Sequence, residues 1–227
     1  RFAEMARRLG LGAKYDFDLD GQKAGLIPTR AWKQAVIGNR WQKGETVVAA
    51  IGQGYVLTTP LQLAVMTARA VNGGFAVTPR LARRDGAKQP EFGSLGISAF
   101  ARRIVVDAMD QVVNHARGTA RRSAIADPAL AMGGKTGTSQ VRRITMAERA
   151  GGLKKNQEKP WRERDHALFV GFAPVSAPQY AVAIVVEHGG GGSKVAAPIA
   201  SALLAEAQRR DSAGESGPQK VAAVSPP

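Results

Sequence analysis

Two apolar runs near the C-terminal end, residues 167–173 (ALFVGFA) and 180–187 (YAVAIVVE), are separated only by the stretch 174–179, which carries two prolines. Runs of this length and composition, bounded by turn residues, read as strands. The short connection makes them antiparallel neighbours, because a parallel pair needs a crossover of a dozen residues or more. A third candidate strand occupies residues 134–141. Helical patterns surround these strands. Residues 2–9 carry apolar groups at helical spacing and stop at Gly10 and Gly12. Thr59 can cap a helix that has Pro60 in its first turn, runs to about Asn72 on an apolar face of Leu61, Val65, Ala68 and Val71, and ends at Gly73 and Gly74. A strand is expected over residues 75–81. A longer helix over 98–115 should turn Phe100, Ile104, Val105, Ala108, Met109, Val112 and Val113 inward, and a last helix covers 197–210. The expected fold class is α+β, an antiparallel sheet flanked by helices.

Between these elements, residues 15–28 read as an ordered loop punctuated by Gly21, Gly25 and Pro28, and residues 142–165 as a charged, mobile insert. Residues 211–227 hold too little apolar surface to offset chain entropy, so one domain is expected over 1–210 with a disordered tail after it. The 227 residues, 44% of them hydrophobic, are enough for a real core. No run is long and apolar enough to span a bilayer, and no leader follows Arg1, which reads as a piece of a longer chain. The chain has no cysteine, which excludes disulfides, thiolate metal sites and cysteine nucleophiles. His115, His166 and His188 share no metal-like spacing with carboxylates, so no metal and no cofactor is expected. His166 is expected to be packed or hydrogen-bonded rather than catalytic, and Trp32 and Trp41 to be buried against the neighbouring loop.

The sharpest chemical signal is Gly134-Lys135-Thr136-Gly137-Thr138 at the start of a strand. A phosphate loop would require glycine at position 129, which is Ala129, and a helix after the lysine; both conditions fail. The other reading is the K-T-G of penicillin-interacting serine enzymes. There an ammonium at Lys135 would favour deprotonation of a neighbouring serine and attract a substrate carboxylate. The hydroxyls of Thr136 and Thr138 could bind that carboxylate, and Gly137 would leave room for substrate backbone along the strand edge.

The order of the surrounding blocks extends this likeness. Asp18-Leu19-Asp20-Gly21, Gly25-Leu26-Ile27-Pro28, Trp32-Lys33, Trp41, Gly44-Glu45-Thr46, Ile51-Gly52-Gln53-Gly54-Tyr55 and Thr59-Pro60-Leu61-Gln62-Leu63-Ala64 precede Lys135-Thr136-Gly137-Thr138. The segment 165–174 (DHALFVGFAP) and Glu187-His188-Gly189-Gly190 follow it. Together they resemble the class B penicillin-binding proteins, in particular the elongation-specific penicillin-binding protein 2 branch, over about residues 1–210. The resemblance implies part of a penicillin-binding, β-lactamase-like transpeptidase domain on the periplasmic side of a bacterial inner membrane. It implies a D,D-transpeptidase that cross-links peptidoglycan stem peptides during elongation and maintains cell shape. Further implied partners are β-lactams, a membrane-embedded glycosyltransferase and other elongation-complex proteins. Lys135 would be catalytic; Thr136, Gly137 and Thr138 would bind substrate, with the amide of Thr138 in the oxyanion hole.

The departures are equally specific. No serine in the chain has lysine three residues later, so the nucleophile motif S-x-x-K is absent, and so is the second motif, S-x-N or S-x-D. The chain as given is therefore expected to be inactive, the C-terminal part of a transpeptidase whose first two motifs and anchor lie upstream. Gly52-Gln53-Gly54 reads first as backbone geometry ahead of a helix, with a site-adjacent loop as the functional alternative. The formal charge of +14 invites a second class of function, a basic polyanion-binding module. No nucleic-acid motif accompanies it, aromatic content is 6%, and the basic residues are dispersed, so no nucleic-acid partner is expected. A β-lactam sensor or a non-catalytic relative is the third alternative.

Overall fold

The computed structural model describes residues 1–17, 20–82, 91–142, 146–152 and 155–214. At its centre is a three-stranded antiparallel sheet, β1 (Gly133–Ser139), β2 (His166–Ala173) and β3 (Tyr180–Val186), in the order β1-β2-β3. Gly133 pairs with Phe172 and Ser139 with His166 across the first ladder, and Ala167 pairs with Val186 across the second. The predicted hairpin and α+β class are thus present. The first strand ends at Ser139 rather than at position 141.

Because successive residues of a strand face opposite ways, β2 divides its apolar side chains between two layers. Ala167, Phe169 and Ala173 join Ala196, Ala197, Ala200 and Leu204 of the helix α7 (Ala196–Ser212) in one core. Phe172 faces the other way, where it lies against Gly133 and the helix α5 (Ala99–Asn114). The helix α4 (Pro60–Val71) also packs on β2 and β3, on the layer that α7 leaves open. Gly134 is required by this arrangement: a Cβ there would lie 2.2 Å from the Phe169 ring and 2.6 Å from the Val170 carbonyl oxygen. The last helix runs two residues past its expected end, and the expected tail from position 215 lies outside the described residues.

The N-terminal part is built differently. After α1 (Phe2–Arg8) come two helices that the sequence did not announce, α2 (Arg30–Ile37) and α3 (Lys43–Ala50). They lack a long apolar stripe; α2 buries Lys33, whose ammonium lies 2.6 Å from the Glu45 carboxylate and 2.9 Å from the Arg40 carbonyl oxygen. Trp32 and Trp41 are only half-buried: Trp32 meets Tyr55 edge-on at 5.2 Å, and Trp41 Nε1 donates to Thr46 Oγ1 at 2.8 Å. The loop 15–28 is ordered where described, through the bridge between Leu26 and Leu57 and through Gln62. Gln62 is 1% exposed, and its amide donates to the carbonyl oxygens of Ala13 at 2.7 Å and Ala24 at 2.9 Å.

Three expectations are corrected. Residues 75–81 form no strand but a single bridge between Phe75 and Ser94. Val77 N–H turns back to Phe75 O, Arg69 Nε donates to Val77 O at 2.9 Å, and Pro79 has no N–H to pair. The predicted inward face of α5 holds only toward its C-terminal end, where Val113 is fully buried. Phe100, Ile104, Val105 and Ala108 are exposed, Phe100 by 75%, because the core contacts of this helix gather near Val113 and near Asn114, which donates to Met132 O. The insert carries short helices, α6 (Met146–Gly151) and 3-10 turns at Asn156–Glu158 and Trp161–Glu163, tied by ion pairs. Arg142 bridges Glu148 at 2.6 Å and Glu163 at 3.2 Å, and Lys159 reaches Asp165 at 3.3 Å.

Candidate active site on the edge of the sheet

The strand β1 lies at one end of the sheet, so its outer edge has no strand partner among the described residues. That edge is where Lys135, Thr136, Gly137 and Thr138 fall. Lys135 and Thr138 are exposed, Thr136 and Gly137 half-buried. The lysine thus continues into a strand, which excludes a phosphate-binding loop followed by a helix. Lys135 Nζ donates to the main-chain oxygen of Thr136 at 2.7 Å, a bond to its own strand that leaves further N–H donors for other groups. Gly137 is paired with Leu168, and a Cβ at Gly137 would come within 3.2 Å of the Leu168 Cβ, so crowding there is moderate.

Thr119, which sequence reasoning missed, belongs beside these residues. The chain turns sharply after α5, with Gly118 N–H donating to His115 O and Ala120 N–H to Val112 O. This turn places Thr119 Oγ1 3.2 Å from Thr136 Oγ1. With one O–H used between them, two hydroxyls in contact leave one O–H free to donate to an incoming carboxylate. Arg117, Arg121 and Arg122, all exposed, flank Thr119 in sequence and add positive charge suited to such a group. A threonine after a glycine carries no distinguishing signal of its own; its pairing spans a turn, a loop and the start of a strand.

Gly52, Gln53 and Gly54 close α3. Gly52 N–H donates to Ala49 O and Gln53 N–H to Val48 O, and both glycines hold positive φ, 76° and 73°. Their bonds are local, which matches the backbone-geometry reading. His166 is hydrogen-bonded: its Nδ1 accepts from the His188 N–H at 2.9 Å. His115 Nδ1 accepts from the Arg117 N–H at 3.2 Å, far along the chain from the other two. Among the described residues no three His, Cys, Asp or Glu side chains converge as a metal site, and no helix is long and apolar enough to cross a membrane.

Residues 1–205 match the penicillin binding protein transpeptidase domain. Among curated proteins, the peptidoglycan D,D-transpeptidase MrdA of Acinetobacter baumannii is 34% identical over 207 residues, covering 86% of this chain and 30% of that protein. The protein of the same name from Haemophilus influenzae is 34% identical over 218 residues, 90% of this chain and 32% of its own length. A solved structure of Pseudomonas aeruginosa PBP2 in complex with WCK 5153 shares 38% identity at a TM-score of 0.74, over 91% of this chain and 43% of that one. The complex of PBP2 and MreC from Helicobacter pylori matches at 30% identity and a TM-score of 0.75, over 93% of this chain and 36% of that one. The chain therefore spans 30–32% of the length of these curated relatives. With the sheet edge, the order of its motifs and these matches in agreement, the chain belongs to the penicillin-binding protein transpeptidase domain family.

Proposed function

We propose that this chain forms one wall of a peptidoglycan D,D-transpeptidase site, with the nucleophilic serine supplied by a segment outside these 227 residues. The observation that carries the reading is the placement of Lys135, Thr136 and Thr138 on the open edge of β1, with Thr119 against Thr136. In the reaction the serine Oγ attacks the carbonyl of the penultimate D-alanine of a donor stem peptide, and terminal D-alanine leaves with a proton. An amine of a second stem peptide then displaces the serine, restoring its hydroxyl. A Lys135 ammonium would lower the cost of ionising the serine hydroxyl and attract the donor carboxylate toward the strand. Thr136, Thr138 and Thr119 would hold that carboxylate, and Gly137 would give the donor backbone its place. The Thr138 amide would face the developing oxyanion.

The similarity to MrdA proteins supports a role in cell-wall synthesis at the periplasmic face of the inner membrane, and the PBP2–MreC complex supports an elongation-complex partner for this chain. β-Lactams, which imitate the donor, would acylate the complete site. The test is labelling by a fluorescent penicillin, with the 227-residue chain compared against a protein extended upstream through S-x-x-K and S-x-N. Label on the extended protein alone is the expected result. Label on neither, with both folded, would overturn the reading and return the polyanion-binding alternative.

A further inference from the structure

At the far end of β1 three rings meet at steep angles: Trp161 lies 4.3 Å from His188, tilted by 56°, and His188 lies 4.8 Å from His166 edge-on, centroid to centroid. His166 opens β2 opposite Ser139, so the ring cluster sits where the strand carrying Lys135 to Thr138 ends. Hydrogen bonds set its orientation. The His188 N–H donates to His166 Nδ1, so His166 carries its proton on Nε2; the Arg164 carbonyl oxygen, 3.0 Å from His188 Nδ1, can only accept, so that nitrogen is protonated. His188 holds φ at 56°, in the left-handed region that histidine visits more often than most non-glycine residues.

Directly after His188 comes the run of glycines 189–192. Gly190 N–H donates to Asp165 O at 2.8 Å, and Asp165 N–H donates to Asn156 Oδ1 at 3.1 Å. Gly192 then lies on the first ladder itself: a Cβ there would be 2.1 Å from Leu168 O, 2.4 Å from Gly137 O and 3.0 Å from Gly137 N. The main chain of the glycine run and that of Gly137 are therefore in contact with nothing between them.

We propose that the Trp161–His188–His166 ring cluster is a positioning clamp, which seats the glycine run 189–192 on the backbone of Gly137 and so sets the shape of the substrate edge. The inference rests on reading β1 as the substrate strand. It makes segment 155–165 a determinant of acylation although its residues lie outside the Lys135 motif. Trp161 is 56% exposed, so its ring is not a core element. The three are positioning residues: they touch the loop that touches Gly137.

The test uses the upstream-extended protein with Trp161→Ala, Trp161→Phe and His188→Asn, asparagine being chosen because it tolerates positive φ. Two readouts are taken, the acylation rate by fluorescent penicillin and amide hydrogen exchange over residues 134–140 and 186–195. Trp161→Ala and His188→Asn are expected to lose roughly tenfold in acylation rate, as small misplacements of binding groups do. Both should exchange faster in the two segments at unchanged melting temperature, and Trp161→Phe should restore both readouts. Faster exchange confined to residues 155–165, with acylation and segment 134–140 unaltered, would overturn the clamp. If Trp161→Ala melts early, His188→Asn decides. If the unsubstituted extended protein takes no label, the transpeptidase reading fails while the exchange data still decide the clamp.

Discussion

The sheet with α7 and the N-terminal helices α1 to α4 solve the problem of burial in opposite ways. Around β2 the core is dry and close: Phe169, Met132 and Val113 are fully buried, and alanines on α7 let the helix approach the strands. In the N-terminal part several of the most buried side chains are polar. Lys33, Gln62 and Arg69 are buried, and each ends on carbonyl oxygens or a carboxylate. The first design is held by apolar area and packing density, the second by hydrogen bonds that are costly to leave unmade. The lesson is about placement. The candidate site edge belongs to the sheet, while the polar web orders long loops of the N-terminal part.

Substitutions can break this contrast, and the largest effect is expected in the dry core. Phe169→Ala should cost about 3–5 kcal/mol of unfolding free energy, read by urea denaturation, because a large ring leaves a void that glycine and alanine neighbours cannot fill. A loss under about 1 kcal/mol would show that this core is not close-packed. Gly192→Ala should follow, at about 1–3 kcal/mol, since a methyl group cannot share space with Leu168 O and Gly137 O. Gln62→Leu tests the other design. It strands the Ala13 and Ala24 carbonyl oxygens and should cost about 1–3 kcal/mol, with faster exchange in the loop around them.

A pH titration sharpens the same comparison. The Gln42 N–H and then Lys33 hold the Glu45 carboxyl below its ordinary value of 4.5. A carboxyl depressed on folding contributes stability that is in place above the ordinary value and is lost as pH falls through the lower folded value. Acid should therefore loosen α2 and α3 before the sheet, seen as a change in Trp32 and Trp41 fluorescence below about pH 4.5 that Glu45→Gln shows already at neutral pH. The smallest effect belongs to the surface pairs of Glu206 with Arg209 and Arg210 on α7. Glu206→Gln should change stability by less than about 0.5 kcal/mol, and a larger loss would mean that α7 depends on its exposed face.

Much of the sheet was legible because its signals are local. The hairpin of β2 and β3 follows from two apolar runs and a short turn. The helices α2 and α3 were not legible, since their buried group is Lys33, which reads as surface until Glu45 is seen across from it. The same holds on α4, where Val65 is buried as expected but Gln62, Thr67 and Arg69 share the interior. On α5 the apolar spacing of Phe100, Ile104 and Val105 reads as a core face, yet what a helix covers depends on where its neighbours end.

The sequence by itself determined the α+β class, the antiparallel hairpin, the family and the strand on which Lys135, Thr136, Gly137 and Thr138 lie, all carried by short-range spacing and motif order. Only the tertiary structure decided that Thr119 meets Thr136, that the rings of Trp161, His188 and His166 meet, and that Gly192 rests on Gly137. The physical reason is that periodicity reports how a segment meets its own neighbours in the chain. Contacts between polar side chains and bare backbone far apart in sequence leave no period, and they exist only once the layers have packed.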